Sequence, residues 1–268
     1  MNDVHKSLLE LLGSFQKICG ENNLKYYASG GTLLGAVRHQ GFIPWDDDID
    51  LFMPRDDYEK LFKKVELDSR YKVEELDGIG HFVDTSIYIS HGNEYWDKRY
   101  PNLSIDLFPL DGSPNNKLLR NLHITHCLIC FAIFKFKNIE FTMETEMLKN
   151  RTNRSRIERW MISHGDILFK LSSWINEEKF NQKFQKLQRK YDYEKSDYVG
   201  VYCGRHRYKE FFAKSDIGSG RMVPFEDGEL RVPEKPKRWL TTVYGADYMK
   251  LPTVDKRESH GNLKIMRK

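Results

Sequence analysis

Between Leu24 and Met53 the chain changes character in an order that few architectures accept. The apolar run Leu24-Lys25-Tyr26-Tyr27-Ala28 leads into Ser29-Gly30-Gly31, and Thr32 to Arg38 then place apolar residues at helical spacing. After a loop with Gly41 and Pro44 comes Trp45-Asp46-Asp47-Asp48-Ile49-Asp50-Leu51. The order predicts a strand, a tight glycine turn, a helix over 32–38 and a second strand over 48–53. Alternate residues of a strand share a face, so Asp48 and Asp50 project together while Ile49 and Leu51 enter the core. Two carboxylates in one small volume repel unless a divalent cation neutralises them, and Mg²⁺ prefers carboxylate and phosphate oxygens. Ser104-Ile105-Asp106-Leu107-Phe108 repeats the device, so a third carboxylate is expected on a neighbouring strand, as a two-metal site requires.

The competing readings are structural. An acidic run is more often a solvated loop, and an isolated Asp more often caps a turn. An EF-hand loop begins with alternating Asp but needs Gly at its sixth position and Glu at its twelfth, where this chain has Leu51 and Asp57. Asp46 is expected as a further metal ligand or an acceptor behind the ligands, and Asp47 as solvated. Backbone N–H groups of Gly30, Gly31 and Thr32, at a helix start, are expected to cradle phosphate. Arg38 and His39 end that helix, where a cation serves either developing phosphate charge or the helix dipole. In Gly204-Arg205-His206-Arg207-Tyr208-Lys209, the residues Arg205, Arg207 and Lys209 are candidates for a diphosphate or an anionic glycan, against an equally good reading as a solvated turn.

The remainder divides by texture. Val4, Leu8, Leu11, Leu12, Phe15, Ile18 and Cys19 predict an amphipathic opening helix closed near Gly20, and Pro54 to about Val65 a second one. Strands are expected near 71–74, 81–89 and 104–107. After Pro109 the segments 118–136, 144–159 and 166–191 read as helical, and from Tyr198 on Gly, Pro and aromatics return, with a short strand at 231–233 and a closing helix around Trp239-Leu240. The expected division is 1–114 as a catalytic core, 115–197 as a helical region, and 198–268 as a segment packing back on the core. The fold class is α/β in the α+β sense. His123, His126, Cys127 and Cys130 stack on one helix face at zinc-like spacing, yet a single helix cannot wrap four ligands, and apolar neighbours favour packing. The same helix, flanked by Arg120, Lys135 and Lys137, also has the composition of one lying on a membrane surface.

Composition excludes several classes. Four scattered cysteines make no disulfide framework, no secretory leader opens the chain, and no apolar run reaches the roughly 18 residues of a spanning helix, so a cytoplasmic protein is expected. The net charge is +4, with ten Lys/Arg against four Asp/Glu in 231–268. A solvated basic end is the commoner meaning of such a tail. Its aromatics Trp239, Tyr244 and Tyr248 sit at packing rather than base-stacking spacings, so no nucleic acid is expected as partner.

Gly30-Gly31-Thr32-Leu33-Leu34-Gly35-Ala36-Val37-Arg38-His39, continuing through Gly41-Phe42-Ile43-Pro44-Trp45-Asp46-Asp47-Asp48-Ile49-Asp50, resembles the signature of the LicD family, whose wider relatives include the fukutin proteins. Ile105-Asp106-Leu107-Phe108-Pro109-Leu110-Asp111 resembles its second block, and Pro233 to Pro252 its closing one. The resemblance implies a nucleotidyltransferase-like mixed sheet flanked by helices with a helical insertion, and Mg²⁺, or alternatively Mn²⁺, held by Asp48, Asp50 and Asp106. It implies transfer of phosphocholine or a related alditol phosphate from a CDP-linked donor to a glycan or glycolipid acceptor of the cell surface, a teichoic acid or lipopolysaccharide precursor, with CMP released. A lipid-linked acceptor would bring the chain to the inner membrane face as a peripheral protein. Two other functions stay open: nucleotidyl transfer with pyrophosphate release, and a non-catalytic binding module of the same fold.

Overall fold

In the computed structural model, residues 2–76, 78–92, 94–137, 176–253 and 263–266 are described, with positions 163, 164, 167, 170 and 257. Helix α1 (Asp3–Glu21) is capped by Asn2, whose side chain accepts the His5 backbone N–H at 2.7 Å, and its apolar stripe Leu8, Leu11, Leu12, Phe15 and Cys19 is buried. Then come β1 (Tyr27–Ala28), α2 (Gly30–His39), β2 (Asp50–Pro54), α3 (Arg55–Lys64), β3 (Tyr71–Leu76), β4 (Ile79–Ser90), α4 (Glu94–Arg99), β5 (Asn102–Ser113) and α5 (Lys117–Lys137). Beyond these lie α6 (Glu177–Gln188), β6 (Tyr198–Gly200), a 3-10 turn over Arg207–Glu210, β7 (Phe211–Ala213), α7 (Lys214–Ile217), β8 (Arg221–Phe225), β9 (Gly228–Val232), α8 (Pro236–Tyr244) and β10 (Lys264–Met266).

Eight strands make one mixed sheet: β1, β2, β5, β4 and β10 lie side by side, β3 adds to β4, and β6 and β7 continue from the end of β5. Helices flank it, giving the α+β, nucleotidyltransferase-like fold expected. The pair β2–β5 is parallel, and it positions the site. Along β5, Leu103, Ile105 and Leu107 are buried while Ser104, Asp106 and Phe108 are half-buried on the other face, the alternation of a strand with one face in the core. The closing helix α8 has Trp239 edge-on to Phe52 of β2 at 5.7 Å. The expected strand at 231–233 is the second arm of a separate hairpin, β8–β9.

Several boundaries move for identifiable reasons. Ser29 adopts extended backbone and its carbonyl accepts the Leu33 N–H at 2.7 Å, so the helix expected from Thr32 already starts at Gly30. The strand expected from Asp48 begins at Asp50, the first residue with a paired neighbour, Asp106, so Asp48 lies just outside it. The helix expected over 118–136 is α5, that expected over 166–191 is described from Glu177, and 144–159 lies outside the described residues. On α5, His123, Cys127 and Cys130 are buried with Phe184 and Tyr202, and His123 Nε2 lies 3.1 Å from the Leu187 carbonyl oxygen. His126, by contrast, is exposed. The four residues therefore do not share a face, and the three buried ones are packing. Leu118, Leu119, Leu122 and Ile129 are exposed along the same helix. Among the described residues no helix is long and apolar enough to cross a membrane.

At the far end of the β2–β5 pair, Arg55 and Asp111 form a bidentate ion pair at 2.7 and 2.6 Å, both side chains buried. They stand one step past Pro54 and Leu110, the last partners of the parallel register. Asp111 holds the Arg55 guanidinium above its ordinary value despite burial.

Candidate active site

Register makes the centre of the site. Asp50 on β2 pairs directly with Asp106 on β5, and Asp106 pairs with His81 on β4, so the three side chains stand in one row across adjacent strands about 4.8 Å apart. His81 is buried and its Nδ1 is 2.8 Å from Asp106 Oδ1. An ionised carboxylate only accepts, so the ring N–H donates there and fixes both the imidazole tautomer and the carboxylate's orientation. Sequence reading placed Asp106 beside Asp50 but passed over His81, because a single histidine in a strand shows nothing until the register is known.

The start of α2 closes on this row. The Ser29 N–H donates to the Asp50 carbonyl, the Asp50 N–H donates to Thr32 Oγ1, both at 2.9 Å, and the Gly31 N–H donates to the Asp50 carboxylate. A Cβ on Gly30 would collide with the Asp50 carboxylate, and one on Gly31 with that of Asp46; Gly30 also has φ +50°. The glycines therefore let two carboxylates approach the positive end of a helix. Thr32 is buried and spends its hydroxyl on the start of β2, away from the cavity wall that Gly30 and Gly31 line.

The loop bearing Asp46, Asp47 and Asp48 is held from both sides. His5 of α1 reaches the Asp46 carbonyl through Nε2 at 2.7 Å and stacks on Phe42, with ring centroids 4.2 Å apart. Glu226, in the β8–β9 turn, accepts the Phe42 N–H at 2.9 Å. Neither anchor, 41 and 184 residues away in sequence, was evident from the sequence.

Asp46, Asp48, Asp50 and Asp106 line one cavity of about 580 Å³ with Gly30, Gly31, Arg205, His206, Glu210 and Tyr244. Burial, and then the charges of Asp48, Asp106 and Asp46, hold the Asp50 carboxyl well above the usual carboxylate range. Among the described residues no three His, Cys, Asp or Glu side chains stand together closely enough to hold an ion between them. The donor set still fits Mg²⁺, which takes one or two carboxylates and fills its octahedron with water and substrate phosphate oxygens.

Of the basic candidates, Arg205 alone lines this cavity. Arg207 is exposed with φ +55°, and Lys209 faces another cavity and donates to the Val243 carbonyl at 3.5 Å. Arg38 and His39 end α2, about 12 Å along the axis from its start. Arg38 donates to His39 Nε2 at 2.9 Å and to the Tyr248 carbonyl at 3.0 Å, so it ties down the C-terminal segment. Burial, then Arg38, lowers the His39 pKa.

Glu210 is a residue that sequence reasoning missed. It is 5% exposed, accepts the His206 N–H at 3.1 Å, and burial pushes its carboxyl from 4.5 up to about 7. In the fold it keeps a proton that the unfolded chain releases above pH 4.5, so its contribution is full below pH 4.5 and is lost as pH rises to about 7. The loss amounts to about 3 kcal/mol. Glu210→Gln keeps the acceptor oxygen and removes the titration. Urea unfolding across this range should show wild type losing that stability relative to the variant; parallel profiles would reject the assignment.

Comparison with known proteins points to one family. Residues 23–141 match the family model described as LicD/FKTN/FKRP, nucleotidyltransferase domain. Over 264 residues, 94% of this chain and 92% of the other, the chain is 29% identical to the lipopolysaccharide cholinephosphotransferase LicD of Haemophilus influenzae. Uncharacterised proteins of Rickettsia prowazekii and Rickettsia typhi are each 49% identical to it over 51 residues, 19% of this chain and 19% and 16% of theirs. With a matching domain over the glycine turn, the Asp-rich loop and both carboxylate strands, and a relative aligned along nearly its whole length, the chain is similar to the LicD family.

Proposed function

We propose that the chain is a Mg²⁺-dependent transferase that moves phosphocholine from CDP-choline to a hydroxyl of a cell-surface glycan precursor, releasing CMP. The observation that carries this reading is the Asp50–Asp106 register pair, set at the start of α2 in the 580 Å³ cavity, in a chain aligned over 94% of its length with a lipopolysaccharide cholinephosphotransferase. Asp50 and Asp106 would hold Mg²⁺, and Asp48 lines the same cavity. When bound, the ion offsets the negative charge of the donor diphosphate.

The chain's own groups supply the rest. Arg205, in the lining of the same cavity, meets the nucleotide's phosphate, and Tyr244 and His206, 5.8 Å apart, offer aromatic surface for the base. The acceptor oxygen forms a bond to the choline-bearing phosphorus, the bond from that phosphorus to the bridging oxygen breaks, and CMP leaves with the electron pair. The hydroxyl proton passes to Glu210, whose affinity for a proton near neutrality suits a general base. Exposed Leu118, Leu119, Leu122 and Ile129, on a helix with no Asp or Glu, support peripheral contact with an anionic membrane that presents a lipid-linked acceptor. Co-sedimentation with anionic vesicles, lost in a Leu118→Gln/Leu122→Gln variant, checks that contact.

The test is product release from CDP-choline, CDP-ribitol and CDP-glycerol with membrane-extracted glycolipid acceptor, with and without EDTA. Mg²⁺-dependent CMP from CDP-choline is the expected result. Pyrophosphate from a nucleoside triphosphate, with no CMP from any donor, would instead establish nucleotidyl transfer.

A further inference from the structure

A second cavity, of about 360 Å³, opens from the same carboxylates: Asp48 and Asp106 line both. Its character is different. Trp96 and Tyr100 of the α4 region stack at 5.7 Å with an interplanar angle of 21°, and Tyr100 also meets His81 at 5.4 Å and His91 at 6.4 Å. Ile79, Ile89, Leu103 and Leu263 supply apolar wall, and Asp47 adds a carboxylate to the lining. Tyr100 already draws a cation to its ring, since the Arg99 guanidinium stands 5.9 Å from the centroid without lining the cavity.

A quaternary ammonium cannot donate a hydrogen bond and spreads its charge over methyl groups, so it is recognised by aromatic faces with carboxylates nearby. An alditol has the opposite demands. Each buried hydroxyl needs a partner; His81, His91 and Ser104 are in the lining, but its four aliphatic side chains and the ring faces of Trp96 and Tyr100 leave hydroxyls unsatisfied. Because the two cavities meet at Asp48 and Asp106, a donor whose choline-bearing phosphorus lies at the carboxylates can direct its nucleotide into the larger cavity and its other substituent into the smaller.

We propose that the smaller cavity is the choline subsite, with the trimethylammonium group against Trp96 and Tyr100 and with Asp47 and Asp48 as counter-charge. This arrangement selects choline over polyhydroxylated donors. The inference rests on the phosphocholine-transfer reading above.

The test compares CDP-choline with its neutral isostere, in which carbon replaces the quaternary nitrogen, by CMP release at saturating acceptor. Wild type is expected to favour CDP-choline roughly thirtyfold in kcat/KM. Trp96→Leu and Tyr100→Leu should each collapse that ratio to about threefold, through KM for CDP-choline, and weaken use of the isostere far less. Equal use of both donors by wild type overturns the subsite and leaves phosphocholine transfer standing, and that comparison decides even if a variant fails to fold. A ratio unchanged in both folded variants overturns it as well. Turnover of CDP-ribitol or CDP-glycerol without CDP-choline overturns the phosphocholine reading and the subsite together.

Discussion

Asp50→Asn is expected to lower kcat for CMP release by roughly a thousandfold or more while the thermal midpoint of the protein without donor does not fall. The two outcomes have one cause. Asp50 is set among Asp46, Asp48 and Asp106, partly out of water, and burial together with their charges works against its own. Removing that charge relieves repulsion in the free protein, and the Asn carbonyl can still accept the Gly31 N–H. The same change removes an anionic oxygen from the place where the proposed transfer would hold a diphosphate and its cation. Arg38→Ala is the matched control: Arg38 stands at the opposite end of α2 and bonds to the C-terminal segment, so kcat should stay close to wild type. Near-normal turnover in Asp50→Asn, or a collapse in Arg38→Ala, would mean that the chemistry lies elsewhere.

How far the sequence disclosed this site follows from which features are local. Alternation along Asp48-Ile49-Asp50-Leu51 gave the correct facing, since Ile49 and Leu51 are fully buried, although only Asp50 belongs to the paired strand. The Asp flanked by apolar residues at 104–108 gave Asp106 and the second strand. The glycines were legible as a close approach. A phosphate was the expected neighbour, and the atoms against Gly30 and Gly31 are carboxylate oxygens of Asp50 and Asp46. His81, Glu210 and the Trp96–Tyr100 wall reach the site through register and chain return, which no local window records. Arg38 reads as serving either a phosphate or the helix dipole, and its bonds run to His39 and to the Tyr248 carbonyl, a partner 210 residues away that no local window records.

The same distinction applies to the fold. Long periodic segments such as α1 and α5 were evident, as were the strands that became β3, β4 and β5. The short strands β6, β7 and β10 were not. They hold three residues each and exist because a longer strand offers them an edge, which is a tertiary reason.

Asp111→Ala is expected to cost about 3–5 kcal/mol of unfolding free energy. Arg55 is 9% exposed in its side chain and makes two of its charged hydrogen bonds to Asp111, so truncating the partner leaves a guanidinium buried beside an apolar strand end. Because burying two charges consumes much of what their attraction returns, replacing both should hurt far less: Arg55→Met/Asp111→Leu is expected to recover most of the loss. Urea unfolding of the three variants provides the cycle, and a single-variant loss under about 1 kcal/mol would show that water reaches the pair in solution. The pair also bears on turnover, because it clasps β2 and β5 one step beyond the register that sets Asp50 opposite Asp106. In Asp111→Ala that register loses its far anchor, so kcat should fall even at temperatures where the protein remains folded. In the double variant stability should return further than kcat, because apolar contact restores packing without restoring the two directed bonds that fix the strands' alignment.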